Sequence, residues 1–285
     1  MAMSSMEVTS KTVKKKVHPK KGGVVKKFRA VYLGPIIAFI VFIVAWQVIP
    51  SLLALQPFIF PKPTDVVNAV IEDWQLLWPA IQITVGESVL GFIVSGVIGI
   101  MASVLLASSK VLERSIYPYA IVLQTIPVVA VAPIVVIWFG AGFNSIIVIS
   151  FLIGFFPVIS NTLLGLNSVD KNLDDLFTLY NASKWQRMWR LRMPSALPYI
   201  MAGLKISCTL SIVGAIVGEY IAGIGGGKGG LGYSITVAAV QVKTPYLFAC
   251  GISAAVLGIT FYLLVNLFSH LLLRSWHESE MKAEK

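Results

Sequence analysis

Long apolar runs alternate with short polar gaps along the chain, and the lengths of the runs set the first expectation. No Asp, Glu, Lys or Arg occurs between Arg114 and Asp170. A bilayer core about 30 Å thick takes roughly 20 helical residues, so this interval holds two crossings and must turn within itself. The turn is expected at 139–144, Phe-Gly-Ala-Gly-Phe-Asn, because glycine and asparagine accept the positive φ of a tight reversal. The same counting predicts six spans, at about 31–49, 81–107, 119–138, 145–166, 199–221 and 247–273. The fold class is therefore all-α, a polytopic membrane bundle of six transmembrane helices.

Composition agrees: 56% of the 285 residues are hydrophobic and 13% are charged, with a mean hydropathy of +0.82, well outside the soluble globular range. The net charge of +10 has a topological origin. An even number of spans puts both termini on one side, and of the 23 Lys and Arg only Lys62, Lys228 and Lys243 then fall on the other. The positive-inside rule makes the basic side the cytoplasm. The basic stretch at 11–29 is accordingly read as lying against anionic lipid and fixing topology, with no nucleic acid implied. Its following apolar run exceeds a signal-peptide core and lacks a small-residue cleavage site, so it is read as a retained span. The organisation expected is a cytoplasmic tail at 1–30, a membrane domain at 31–273 and a second cytoplasmic tail at 274–285.

Catalytic chemistry finds little purchase. His18, His270 and His277 have no second ligand at helical spacing, so no metal site is expected. Serines and threonines in membrane helices bond their own backbone or a neighbouring helix, and no nucleophile-base grouping assembles at one depth. Cys208 and Cys250 lie at different depths and are not expected to pair. Gly225, Gly227 and Gly230 make a formal GxGxxG, but it follows a membrane helix and not a strand, and Gly229 follows Lys228 where a P-loop needs Ser or Thr. The chain is expected to hold no catalytic residue and no ATP site of its own. Two intramembrane acids, Glu87 and Glu219, are open to a functional or a structural reading. Lys205 is about 21 Å along a helix from Glu219, too far to pair, and snorkels to the inner surface.

One polar segment, 170–198, interrupts the apolar pattern and reads as two short helices. Leu173, Leu176, Phe177 and Tyr180 share a face, while Asp170, Asp174 and Asp175 gather at the N-terminal end favoured by the dipole. Asn181 accepts the left-handed conformation that ends a helix. Ser183 to Gln186 matches a capping box, starting a second helix that Pro194 is expected to stop. There Trp185, Met188 and Trp189 share an apolar face, and Arg187, Arg190 and Arg192 carry charge. Such a pair either lies in the lipid interface or docks into a groove on a cytoplasmic protein, and sequence physics leaves both open.

The segment resembles the cytoplasmic coupling motif of type I ABC importer permeases: Glu-Ala-Ala, three residues, Gly, nine residues, Ile-x-Leu-Pro. Here the register gives Asp175-Leu176-Phe177, Asn181 and Leu191-Arg192-Met193-Pro194. Leu-Phe replaces Ala-Ala and Asn replaces Gly. The resemblance runs from about residue 60 to 274 and includes the Pro61-Lys-Pro-Thr-Asp65 lead into a short outer helix, Gln124-Thr-Ile-Pro127, Ala132-Pro133, Trp138-Phe-Gly140, Phe155-Phe-Pro157, Gly218-Glu219-Tyr220 and Gly230-Leu-Gly-Tyr233. These motifs are similar to the nitrate, sulfonate, taurine and pyrimidine-precursor branch.

The resemblance implies a multi-pass subunit of the bacterial inner membrane with a coupling helix between its fourth and fifth spans. Its partners would be a second, commonly identical permease, two cytoplasmic ABC ATPase subunits that carry ATP and Mg, an external or periplasmic substrate-binding protein, and the lipid bilayer. It assigns ATPase coupling, within 170–193 and the following proline, to Asp174, Asp175, Tyr180, Asn181, Ala182, Ser183, Trp185, Gln186, Trp189, Arg190 and Pro194. It assigns the translocation path to Gln124, Thr125, Pro127, Asn161, Glu219 and Tyr220, with Pro127, Pro133 and Pro157 kinking helices around a cavity. The cargo would be a small polar nutrient or anion: nitrate, sulfonate, taurine, bicarbonate, or a pyrimidine or flavin-type compound, with the last two slightly favoured. The alternative, an ion-gradient-driven secondary transporter, calls for inverted repeats and mid-membrane acids; no repeat is visible.

Overall fold

The structure, a computed structural model, describes residues 23–224 and 229–274. The basic tail to residue 22 with His18, the glycine run at 225–228 with Lys228, and residues from 275 onward with His277 lie outside the described residues. The chain divides into two units, 1–49 and 50–285. Most of the first is α1 (Gly23–Leu52), whose Leu33–Leu52 portion is apolar and long enough to cross a membrane.

The second unit opens with α2 (Pro63–Glu72), a short helix with proline in its first turn and the Lys62 N–H donating to Asp65 Oδ2 at 3.0 Å. Proline at the start of a helix loses nothing, because that N–H has no intrahelical partner. Then follow α3 (Trp74–Ala107), α4 (Lys110–Thr125), α5 (Val128–Phe139), α6 (Phe143–Asn167), α7 (Lys171–Leu179), α8 (Lys184–Arg187), a π turn (Met188–Arg192), α9 (Met193–Ile224), α10 (Leu231–Val240) and α11 (Thr244–Leu273). No strand occurs among the described residues.

Small residues hold α3, α6 and α9 together, as expected where lipid removes most of the hydrophobic drive between helices. A methyl group added at Gly99 would come within 2.8 Å of Val158 Cγ1, so α3 and α6 approach backbone to backbone. Ser95 Oγ donates to the Phe151 carbonyl at 3.0 Å and Ser103 Oγ to that of Ile159 at 3.1 Å. Both partners advance by the same number of residues, so α3 and α6 run parallel. Against α9 the sense reverses: Ser150 Oγ donates to the Ser211 carbonyl at 2.8 Å, while Gly203 faces Pro157 and Asn161. These helices are antiparallel.

Parallel α3 and α6 require the chain between them to return across the bundle, and α4 with α5 make that return. The single span expected at 119–138 is thus two helices, broken at Ile126 and Pro127. Pro127 lacks an N–H and disfavours helix at the residue before it; its backbone is extended there, at φ −60° and ψ 120°. Five helices are individually long and apolar enough to cross, and the α4–α5 pair supplies the sixth passage. The expected turn falls at Gly140, whose φ of 82° ends α5. Helix α10, which sequence periodicity did not reveal, packs against α3, α9 and α11. Cys208 and Cys250 are both free and buried.

Candidate functional site

The polar segment folds largely as its caps dictate. Asp170 accepts from the Asn172 N–H at 2.7 Å at the start of α7, and Asn181 takes a φ of 51° after its end. Ser183 and Gln186 bond reciprocally, at 3.2 Å and 2.8 Å. Arg187 braces the two helices: its Nη2 donates to Thr178 Oγ1 at 2.9 Å, and its Nη1 lies 3.7 Å from Asp174 Oδ1. Sequence reading gave Arg187 only a general charge, because a contact nine residues back across a break has no periodic signature.

Two expectations are corrected. Pro194 does not stop the second helix; α8 passes through the π turn into α9 without a break. The turn's last bond runs from the Met193 N–H to the Met188 carbonyl, so α-helical bonding restarts at Met193 and Pro194 falls in a first turn, where proline is tolerated. Nor do Trp185, Met188 and Trp189 share one environment. Met188 is buried with Leu106, Leu163 and Ile200, whereas Trp185 is 69% exposed and stacks edge-on against Trp189 at 5.3 Å.

Of the residues assigned to coupling, Tyr180, Ala182, Gln186 and Arg190 line one groove of about 280 Å³ with Leu176 and Phe177. Asp175 is exposed beside it on α7, and Asp174 is turned toward Arg187. Asn181 and Ser183 form the break, and Trp185 and Trp189 lie outside that groove.

The residues assigned to the path do not share one cavity. Gln124 lines a cleft of about 390 Å³ between α4, α5, α6 and α9, together with Phe151, Phe155, Phe156 and Pro157. Thr125 Oγ1 is bonded back to the Val122 carbonyl at 2.7 Å, and Pro127 makes the helix break. Asn161 Nδ2 donates to the Pro157 carbonyl one turn back on its own helix at 2.8 Å. Tyr220 is exposed.

Glu219 is 1% exposed and bound on both oxygens: Thr84 Oγ1 donates to Oε1 at 2.6 Å and the Gly232 N–H to Oε2 at 2.5 Å. Thr84 Oγ1 in turn accepts from the Leu231 N–H at 2.8 Å. This clamp ties the start of α10 to α3 and α9. Gly230 sits against the Glu219 carboxyl at φ 83°, a position where any side chain would collide. Glu87, 2% exposed, is buried close to Glu219, and its Oε2 has no hydrogen-bond partner among the described residues. Sequence spacing had treated the two acids separately; their meeting depends on α3 packing on α9, which no local pattern encodes. No cluster of three His, Cys, Asp or Glu suited to a metal occurs among the described residues.

Fold and site together define a multi-pass helical membrane protein that presents a capped, braced polar element at one end of its bundle. More particularly, the chain belongs to the family of binding-protein-dependent transport system inner membrane components, whose family model matches residues 95–277. It is 33% identical to the formylaminopyrimidine transport permease protein ThiX of Halalkalibacterium halodurans, over 87% of this chain and 97% of that one. It is 32% identical to the riboflavin transport system permease protein RibX of Chloroflexus aurantiacus, over 89% and 94%, and 31% identical to the putative aliphatic sulfonates transport permease protein SsuC of Bacillus subtilis, over 84% and 86%. The protein is an ABC importer permease, a transport subunit of the membrane, and membership implies ATPase and substrate-binding protein partners.

Proposed function

We propose that two copies of this permease pair in the inner membrane with their termini in the cytoplasm and import a planar nitrogen heterocycle of pyrimidine or flavin type. The cleft beside Gln124 carries the substrate reading. Three phenylalanines and one amide line it, with no Lys or Arg among its described lining residues. Aromatic faces and a single amide suit an uncharged ring with polar edges, whereas nitrate or a sulfonate calls for a cation or converging N–H donors. The names of ThiX and RibX, two relatives matched over most of both chains, point the same way. In this reading Gln124, Thr125, Pro127, Asn161 and Tyr220 border the route and Glu219 anchors its wall.

Energy enters from outside the chain. ATP and Mg belong to two ABC ATPase subunits, which dock on the segment from Asp174 to Pro194 through the groove of Tyr180, Ala182, Gln186 and Arg190 and through Trp185. Closure of the ATPases moves that segment, and α9 carries the motion into the bundle. An external binding protein delivers the cargo at the opposite end. The test is uptake by proteoliposomes holding the permease, its ATPases and its binding protein. ATP-driven uptake of a labelled pyrimidine or riboflavin is expected, without uptake of nitrate or sulfonate. Replacing both Trp185 and Arg190 by Ala lowers that uptake at least about tenfold, the loss of one interface anchor, while membrane insertion stays normal. Uptake that runs equally without ATP overturns the importer reading, and preferred uptake of an anion overturns the substrate class.

A further inference from the structure

On the side of the coupling segment away from the Tyr180 groove, a second cleft of about 320 Å³ opens between the end of α3, the start of α4, α8 and the π turn. Lys110, Lys184, Arg187 and Arg192 line it together with Val104 and Trp185, and no acid is among its described lining residues. Two acids stand behind it: Glu113, 3.1 Å from Lys110, and Asp174, 3.7 Å from Arg187. Arg192 bonds only a carbonyl, that of Ala107, at 3.3 Å, and Lys184 has no ion-pair partner among the described residues. Two positive charges on this wall are therefore uncompensated.

The cleft does not end in water on all sides. Val104, Ser108 and Trp185 also line an adjoining groove of about 700 Å³ that runs along α3 past Met101 and Leu105, with Trp189 and Met193 on its other side. That groove is apolar apart from Ser108 at its rim. Trp185 and Trp189, ring on ring, mark the passage from cationic to apolar lining. Tryptophan favours that depth in a bilayer, where its ring is half in hydrocarbon and its N–H meets the headgroups. A cationic mouth continuous with an apolar trough matches a ligand that carries an anionic phosphate at one end and a hydrocarbon chain at the other.

We propose that this paired cleft and groove is a binding site for an anionic phospholipid of the cytoplasmic leaflet, with its phosphate held by Lys184 and Arg192 and flanked by Lys110 and Arg187, and one acyl chain along α3. Basic pockets between helices on the cytoplasmic side of membrane proteins have the chemistry to hold such headgroups. The site shares no lining residue with the Tyr180 groove, although Trp185 and Trp189 belong both to it and to the residues assigned to coupling. A bound lipid would tie α8 to the end of α3 while leaving that groove open. The inference rests on the topology that puts this end at the cytoplasm, but not on ATPase docking, so its test uses the permease alone.

The test is thermal unfolding of the delipidated full-length permease in detergent, titrated with dioleoyl phosphatidylglycerol, with dioleoyl phosphatidylcholine, or with inorganic phosphate. Phosphatidylglycerol alone is expected to raise the melting temperature and to be retained by the protein in native mass spectrometry. Lys184→Gln weakens its half-saturation about fivefold, the share of one lysine near an anionic headgroup, and Lys171→Gln, outside the cleft, leaves it unchanged. An equal response to phosphatidylcholine, or an unchanged response in Lys184→Gln, overturns the site. A response to phosphate alone that matches the lipid's assigns the cleft to a free anion and overturns the lipid. Lys184 is exposed and bonded to nothing in its surroundings that folding needs, so its variant keeps the test decisive even if an Arg192 variant does not fold.

Discussion

At the residue scale, Glu219 shows what a buried acid does when every oxygen is occupied. Removing its carboxylate by Glu219→Ala strands the Gly232 N–H in the interior and leaves the Thr84 hydroxyl only the Ala80 carbonyl, at 3.2 Å. A buried donor left without an acceptor costs about 1–3 kcal/mol, and with the cavity the expected loss is about 3 kcal/mol or more. Glu219→Gln retains the volume and an acceptor and should recover more than half of it. Thermal unfolding of the two variants in detergent checks the ranking, and equal melting temperatures would sink the clamp. The acid itself was plain in the sequence, as any carboxylate in an apolar run is. Its partners were not: Thr84 lies 135 residues away, and a threonine facing a helix neighbour looks like any other. By contrast Asn181, Ser183 and Gln186 were legible, since caps and left-handed turns are decided within four residues of chain.

At the scale of elements, the bundle depends on glycine and serine where helices meet. A Cβ at Gly154 would lie 2.6 Å from Ser211 Oγ and 2.8 Å from the hydroxyls of Ser207 and Ser95, so all three helices converge on that one residue. Gly154→Leu is expected to destabilise the bundle by about 1–3 kcal/mol, the usual cost of overpacking, or to keep it from assembling; Gly140→Ala, where a side chain meets open space but the φ is 82°, should cost about 1–2 kcal/mol through backbone strain alone. Melting curves in detergent check each loss. Element identity was readable because span length and hydropathy are local sums. Two features escaped that reading for the same reason. The break in the third passage depends on which of several membrane prolines kinks and which breaks, and neighbours decide that. Likewise α10, at 10 residues, is too short to announce itself by length.

At the scale of the whole molecule, the proposed orientation rests on the distribution of charge, and chemistry can test it directly. Cysteines placed at Lys62 and Lys243 should react with a membrane-impermeant maleimide in intact cells, and a cysteine at Lys171 only after permeabilisation. The native Cys208 and Cys250 are buried, so the background is low. Labelling of position 171 from outside would reverse the topology and remove both the ATPase surface and the cytoplasmic-leaflet lipid site. The caps and the break of the polar segment at 170–198 were well resolved by sequence, yet its continuity with the bundle was hidden, because a proline at a restarted helix and a proline at a terminus look alike.

That continuity makes angular phase a functional variable. From Lys184 to Gly223 the chain is one helix of 40 residues, about 60 Å long at 1.5 Å per residue, and the π turn within it holds roughly one residue more than an α turn would. The π turn takes up that residue within one rotation, so deleting it would leave α8 pointing nearly as before, whereas adding one residue to α8 with the π turn kept would swing the chain before it about 100° around the axis of α9. The bundle beyond Met193 would be unchanged, so the lengthened variant should insert and melt like the parent. The surface proposed to meet the ATPases would point elsewhere, and ATP turnover and uptake, measured side by side, should fall out of step.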